Sequence, residues 1–214
     1  MKKFISIISN PLFITLALLT VDQWLKIWVK TNMYLSQEFP VFGDWFYIHF
    51  IENKGMAFGM EFGGEWGKLA LSLFRIVAVF GIGYYLFKVL PKTAPKGLKV
   101  SVALIFAGAI GNILDSMFYG IIFNESFNQI ATFMPAEGGY APFLFGRVVD
   151  MFWFPLMEGN FPDWLPIWGG EHFLFFRPVF NIADAAISVG IGLVFVFNKR
   201  FFPKDKLESP IEEA

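Results

Sequence analysis

The side chains that recur at chemically useful spacings are carboxylates, carboxamides and a few cations. Asn112-Ile113-Leu114-Asp115 and Asn181-Ile182-Ala183-Asp184 each set an amide and an acid three residues apart, which puts both on one face of a helix. Asp22 and Lys26 are four apart and can pair along a helix. Gly146-Arg147-Val148-Val149-Asp150 runs an apolar dipeptide into an acid, and Asn53-Lys54-Gly55-Met56-Ala57-Phe58-Gly59 places a carboxamide among small residues that permit close backbone approach. There is no cysteine, neither histidine has a second His at metal-ligand spacing, and Gly-x-Ser-x-Gly and His-Glu-x-x-His are absent. Two neighbouring carboxylates cannot both ionise cheaply, so one keeps a proton while the other acts as base toward water, the arrangement aspartic peptidases use. On these grounds Asp184 pairs with Asp115, its echo. A helix N-terminus at Asp184 favours its ionised form, which makes it the base.

The elements that must position these groups are membrane helices. The chain is 56% hydrophobic and only 16% charged, and its mean hydropathy is positive, too apolar for an ordinary soluble domain. A net charge of −1 argues against a nucleic-acid partner. Four segments, roughly 8–29, 67–89, 98–115 and 180–198, have the length to cross a ~30 Å hydrocarbon core. Met1-Lys2-Lys3 opens like a signal peptide. The apolar run then continues into Asp22-Gln23-Trp24 with no small-x-small cleavage site, so it is expected to be a retained first span. Ten of the 17 basic residues fall in the N-terminus, the Lys88–Lys99 connection and the tail, which four alternating spans place on one side. That side is cytoplasmic by the positive-inside rule, with both termini on it. Residues 30–66 and 116–179 then lie outside, and 201–214 form a cytoplasmic tail. Within the first outer loop the β-forming run Trp45–Ile51 predicts a short strand or hairpin, and the second carries aromatic clusters suited to headgroup depth. No repeat or low-complexity tract is present. With this topology Asp22 and Lys26, Asn112 and Asp115, and Asn181 and Asp184 all reach the outer boundary, where polar residues mark function.

Five motifs in order, Asp22-Gln23-x-x-Lys26, Asn53-x-Gly55-x-Ala57-Phe58, Gly111-Asn112-x-x-Asp115, Val148-Val149-Asp150 and Phe180-Asn181-x-Ala183-Asp184, resemble the lipoprotein signal peptidase (signal peptidase II) family, from about Asp22 to Gly190. The resemblance implies an aspartic endopeptidase at the outer face of the bacterial cytoplasmic membrane, cutting prolipoproteins just before their lipid-modified cysteine. It implies an all-α integral membrane fold of four helices with a small periplasmic β-cradle, an extended periplasmic loop and a mobile periplasmic helix. It also implies partners limited to the lipidated substrate and membrane lipid, and no cofactor or metal. The family's catalytic pair falls on Asp150 and Asp184, so Asp115 gives up the place that spacing assigned it. Asp22, Lys26, Asn53, Gly55, Asn112, Asp115, Arg147, Asn181 and Ala183 become supporting or substrate-binding residues. Ser116 stands where the family commonly has Arg, leaving Asp115 in need of another cation, for which Arg147 is the candidate. The segments from Asp115 to Asp150 and from Asp150 to Asp184 are longer than is usual in the family, and the protein is expected to act as a monomer.

Other readings remain open on the residues alone. Boundary acids also mark ion paths, so a small proton-coupled carrier is the alternative, and a structural assembly protein is a third reading. Asp22 with Lys26 serves equally as a helix-anchoring ion pair or a substrate contact. His49 and His172 read as interfacial polar residues.

Overall fold

The computed structural model describes residues 10–54, 64–175 and 177–203. Gly55 and the rest of its motif through Gly59 lie outside them. Helix α1, Pro11–Asn32, starts as its sequence dictates: the Asn10 side chain accepts the Leu12 amide at 2.9 Å, and Pro11 opens the first turn, where no amide is needed. Helix α2, Gly64–Tyr84, widens into a π turn at Tyr85–Val89, and α3, Lys96–Leu114, does the same at Asp115–Tyr119 before one last turn to Ile122. Such widened turns carry one extra residue and are frequent at functional sites. Here the widening begins at Asp115. Helix α4, Ile182–Val196, and the short α5, Asn198–Phe201, close the described chain.

Three of these helices are long and apolar enough to cross a membrane: Pro11–Asn32, Trp66–Val89 and Lys96–Ile122. The third runs past the boundary near 115 that its sequence suggests. Ile182–Val196 is apolar but shorter. Its start is displaced from about 180 because Val179–Phe180 is drawn into a strand.

Backbone contacts group the chain into two units. The helical unit draws on the chain up to Gln23, on Ala70–Ile113 and on the chain from Ile182. Its buried cluster of Leu86, Leu98, Val102, Ala103 and Phe201 joins α2, α3 and α5. Small residues let α3 and α4 approach closely, as is usual between membrane helices. A Cβ at Gly108 would run into the Ala183 carbonyl and come within 2.7 Å of Ile187, and one at Gly190 would lie 2.7 Å from the Ser101 carbonyl. Gly108→Ala is therefore expected to lose about 1–3 kcal/mol to overpacking. Gly192→Ala, which has nothing within 4 Å, should melt at or slightly above the wild-type temperature in detergent. On the outward faces Phe74, Val77 and Phe80 of α2 and Phe195 of α4 are exposed.

The second unit comprises Trp24–Leu69 and Leu114–Asn181 and is built on strands. Strands β1 (Glu38–Phe42), β2 (Phe46–Asn53), β3 (Val148–Trp153) and β6 (Val179–Phe180) form an antiparallel sheet in that order, and β4 (Met157–Asn160) pairs with β5 (His172–Phe175) in a separate hairpin. Phe42 opposite Phe46 leaves a three-residue turn, and Gly43 enters it with a left-handed φ of 49° that glycine adopts without steric cost. Val149 and Met151 point from β3 into a core with Val29, Met33, Phe50, Tyr119 and Phe123. Side chains alternate along a strand, so Asp150 between them faces the other way. Strand β2 bulges between Ile48 and Ile51, directly before the residue opposite Asp150, and bulges beside sites re-aim side chains. The aromatic run around Phe154 stacks on Phe46 (4.6 Å, 6°) and Phe180 (5.7 Å).

Candidate active site

Each of the two aspartates singled out above is held by the asparagine of an Asn-x-x-Asp motif. In the strand unit Asp150 is 3% exposed; its Oδ1 accepts Asn181 Nδ2 at 2.7 Å and its Oδ2 accepts Asn53 Nδ2 at 3.4 Å. Asn181 also reaches the Val149 carbonyl at 3.3 Å. Beneath them Asp115, wholly buried, takes the Val149 amide at 3.2 Å and pairs with Lys26 Nζ at 2.9 Å. The cation at Asp115 is thus Lys26 from α1. Arg147, the candidate drawn from sequence, goes elsewhere.

In the helical unit Asp184 lies in the first turn of α4, and its Oδ1 accepts Asn112 Nδ2 at 2.7 Å. Asp22 is 1% exposed and accepts the Ala183 amide at 3.0 Å, so an acid of α1 satisfies one of the free amides that open α4. Gln23 donates to the second Asp22 oxygen (3.1 Å) and to the Gly111 carbonyl (3.2 Å). A Cβ at Gly111 would fall 2.8 Å from that same oxygen, so only glycine fits there. Asn181 and Asp184 are three residues apart in the chain, yet each bonds across its own unit.

Residues 14–199 match the family model described as Signal peptidase (SPase) II. The chain belongs to the signal peptidase II family. It is similar to the lipoprotein signal peptidase of Porphyromonas gingivalis, 57% identical over 180 residues that cover 84% of this chain and 78% of that one. The lipoprotein signal peptidase of Amoebophilus asiaticus is 36% identical over 190 residues, covering 87% and 76%. A solved bacterial membrane enzyme, determined by the in meso method at 2.3 Å resolution, aligns with a TM-score of 0.59 and 21% identity over 95% of this chain and 93% of that one, a likeness of fold. As a signal peptidase II the chain is a membrane protease, and the carrier reading loses its support.

A third polar cluster of this signal peptidase II was missed from the sequence. Lys30 and Glu52 are buried side chains in direct contact, and Ser126 lies 2.9 Å from Lys30 Nζ and 3.1 Å from Glu52 Oε1. Arg147 Nη1 joins Glu52 Oε2 at 2.9 Å, and its two terminal nitrogens fork onto Glu125 at 2.8 and 3.0 Å. The rings of Phe123 and Tyr140 lie 5.3 and 4.9 Å from Lys30 Nζ. Burial pushes the Glu52 carboxyl up, but the cations Lys30 and Arg147 outweigh it and leave it below the usual range. Glu125 and Glu52 hold the Arg147 guanidinium more firmly charged against the burial that opposes it. Burial also raises the Tyr140 phenol, which accepts the Arg147 amide at 2.7 Å. A signal existed for Lys30: Asp22, Lys26 and Lys30 form one helix stripe at four-residue spacing. Glu125, Ser126 and Tyr140 had none, being scattered along an irregular loop. His49 contacts Glu38 at 3.2 Å and the edge of Trp153, while His172 is exposed on β5. Among the described residues no three His, Asp or Glu side chains gather as a metal ion would require.

Proposed function

We propose that this protein removes the signal peptide from diacylglyceryl-modified prolipoproteins, cutting before the lipidated cysteine, with Asp150 and Asp184 as its catalytic dyad. Family membership over residues 14–199 carries the reading. The capture of each aspartate by the asparagine of an Asn-x-x-Asp motif supports the choice of these two acids. One carboxylate takes a proton from a water, which attacks the scissile carbonyl. The other, protonated, donates to the carbonyl oxygen; the first then passes the water's proton to the leaving amine as the C–N bond breaks, and the second recovers its proton as the tetrahedral hydroxyl collapses to the new carboxyl group. Asn53, Asn112, Asn181, Asp115 and Lys26 fix the acids, while Asp22 and Ala183 hold the start of α4. No step requires more than these side chains and water.

In this reading α4 is the fourth span, both termini are cytoplasmic and the dyad faces the periplasm. The clustering of basic residues supports the orientation, and the exposed apolar faces of α2 and α4 suit lipid. The natural absence of cysteine makes the topology simple to test. In intact cells Glu137→Cys should react with a membrane-impermeant thiol reagent and Lys92→Cys should not; the reverse pattern would refute the orientation.

For the activity itself, the purified protein in detergent is incubated with a diacylglyceryl prolipoprotein and followed by electrophoretic mobility. Cleavage should occur, with the cut before the modified cysteine confirmed by mass spectrometry. An unshifted substrate would remove the peptidase reading.

A further inference from the structure

We infer that Glu52 is a positioning residue for Asp150: by binding Lys30 and Arg147 together it clamps the end of strand β2 in the register that aims Asn53 at the Asp150 carboxylate. This rests on the peptidase reading above. Beyond the bulge, β2 is paired to β3 by only three residues, Ile51 with Asp150, Glu52 with Val149 and Asn53 with Val148. A strand end with so few pairs frays unless its side chains are tied down. Asn53 is the last residue of β2, and its amide reaches Asp150 at 3.4 Å, a long contact sensitive to small shifts.

The tie is the side chain next to it. Alternation along the strand sends Asn53 toward Asp150 and Glu52 to the opposite face. There both Glu52 oxygens are used, Oε1 by Lys30 and Ser126 and Oε2 by Arg147. Lys30 comes from α1, Ser126 from the loop after α3, and Arg147 immediately precedes Val148, the partner of Asn53. Arg147 is itself fixed by its fork onto Glu125, by the Tyr140 hydroxyl, and by stacking 4.8 Å over the Tyr140 ring. Among the described residues Glu52 is the carboxylate that pairs with both cations, and its side chain is 1% exposed. The clamp sets two cations, Lys30 and Arg147, against two carboxylates, Glu52 and Glu125.

The test measures kcat and KM for prolipoprotein cleavage in detergent by wild type, Glu52→Gln, Asn53→Ala and the double variant, with thermal unfolding of each. Glu52→Gln keeps the shape and loses the charge that holds Lys30 and Arg147. It should lower kcat roughly 10- to 100-fold, as a misplacement remote from the chemistry does, with KM unchanged. Because Glu52 acts through Asn53, the double variant should be no slower than Asn53→Ala alone. Multiplicative losses, or an unchanged kcat in Glu52→Gln beside an active wild type, would overturn the inference while leaving the peptidase reading intact. An inactive wild type would fell that reading first. Should Glu52→Gln fail to fold, Ser126→Ala removes the hydroxyl that bridges Lys30 and Glu52 while leaving their ion pair, and must show the same kcat-only, non-additive loss at smaller amplitude.

Discussion

Asp150→Asn and Asp184→Asn should each cut prolipoprotein cleavage by roughly 100- to 10,000-fold, the range expected when a positioned acid or base is removed. Asparagine has the shape of aspartate and cannot exchange a proton with water, so the loss falls on kcat. The two variants differ in stability. Asp150 is buried and accepts from two asparagines, Asn181 on one oxygen and Asn53 on the other. An amide nitrogen in place of either oxygen faces a donor with a donor, which costs about 1–3 kcal/mol when buried. Asp184 is half-buried, so the same change there can turn its oxygen to Asn112 and should leave the melting temperature near wild type. Exposed Asp44→Asn serves as the control and should cleave normally. Cleavage at the wild-type rate by either variant would break the dyad, and a dead Asp115→Asn beside an active Asp150→Asn would restore the pairing suggested by motif spacing.

Lys26→Met should be the most destabilising of the substitutions considered, by about 3–5 kcal/mol, because it strands the Asp115 carboxylate without its cation in a buried setting. Both side chains are fully buried at 2.9 Å. Asp115 also receives the Val149 amide, so the damage reaches β3 next to Asp150 and activity should fall with stability. Pairing Lys26→Met with Asp115→Leu removes both charges and should recover most of the stability without the activity. Unfolding in detergent, followed by tryptophan fluorescence, reads all three. A single variant as stable as wild type would mean that the pair is not the support described.

The membrane character of the chain was legible from composition, because long apolar helices need little context to be recognised. The β-forming run Trp45–Ile51 became most of β2, since its residues suit a pleated, half-buried surface whichever partner they meet. Phe180, which the sequence sets at the head of the fourth span, lies instead in the strand Val179–Phe180, because a two-residue strand is created by its partner, Phe152–Trp153, and has no periodicity of its own. The same limit explains the cation at Asp115. Arg147 was the nearer guess in the motif order, but a guanidinium fork matches a carboxylate pair, and Glu52 with Glu125 supplied one. Lys26 reached Asp115 across a distance in sequence that spacing cannot measure.

By itself the sequence determined the class of protein, the acids and amides available for chemistry and, through five ordered motifs, the family. It could do so because apolar length, helix spacing and short motifs are local properties. What only the tertiary structure decided was who holds whom: Asn181 on Asp150, Asn112 on Asp184, Lys26 on Asp115, and Glu52 between Lys30 and Arg147. Those choices depend on which buried charge can be satisfied at least cost, and that is settled only when strands and helices distant in the chain pack together.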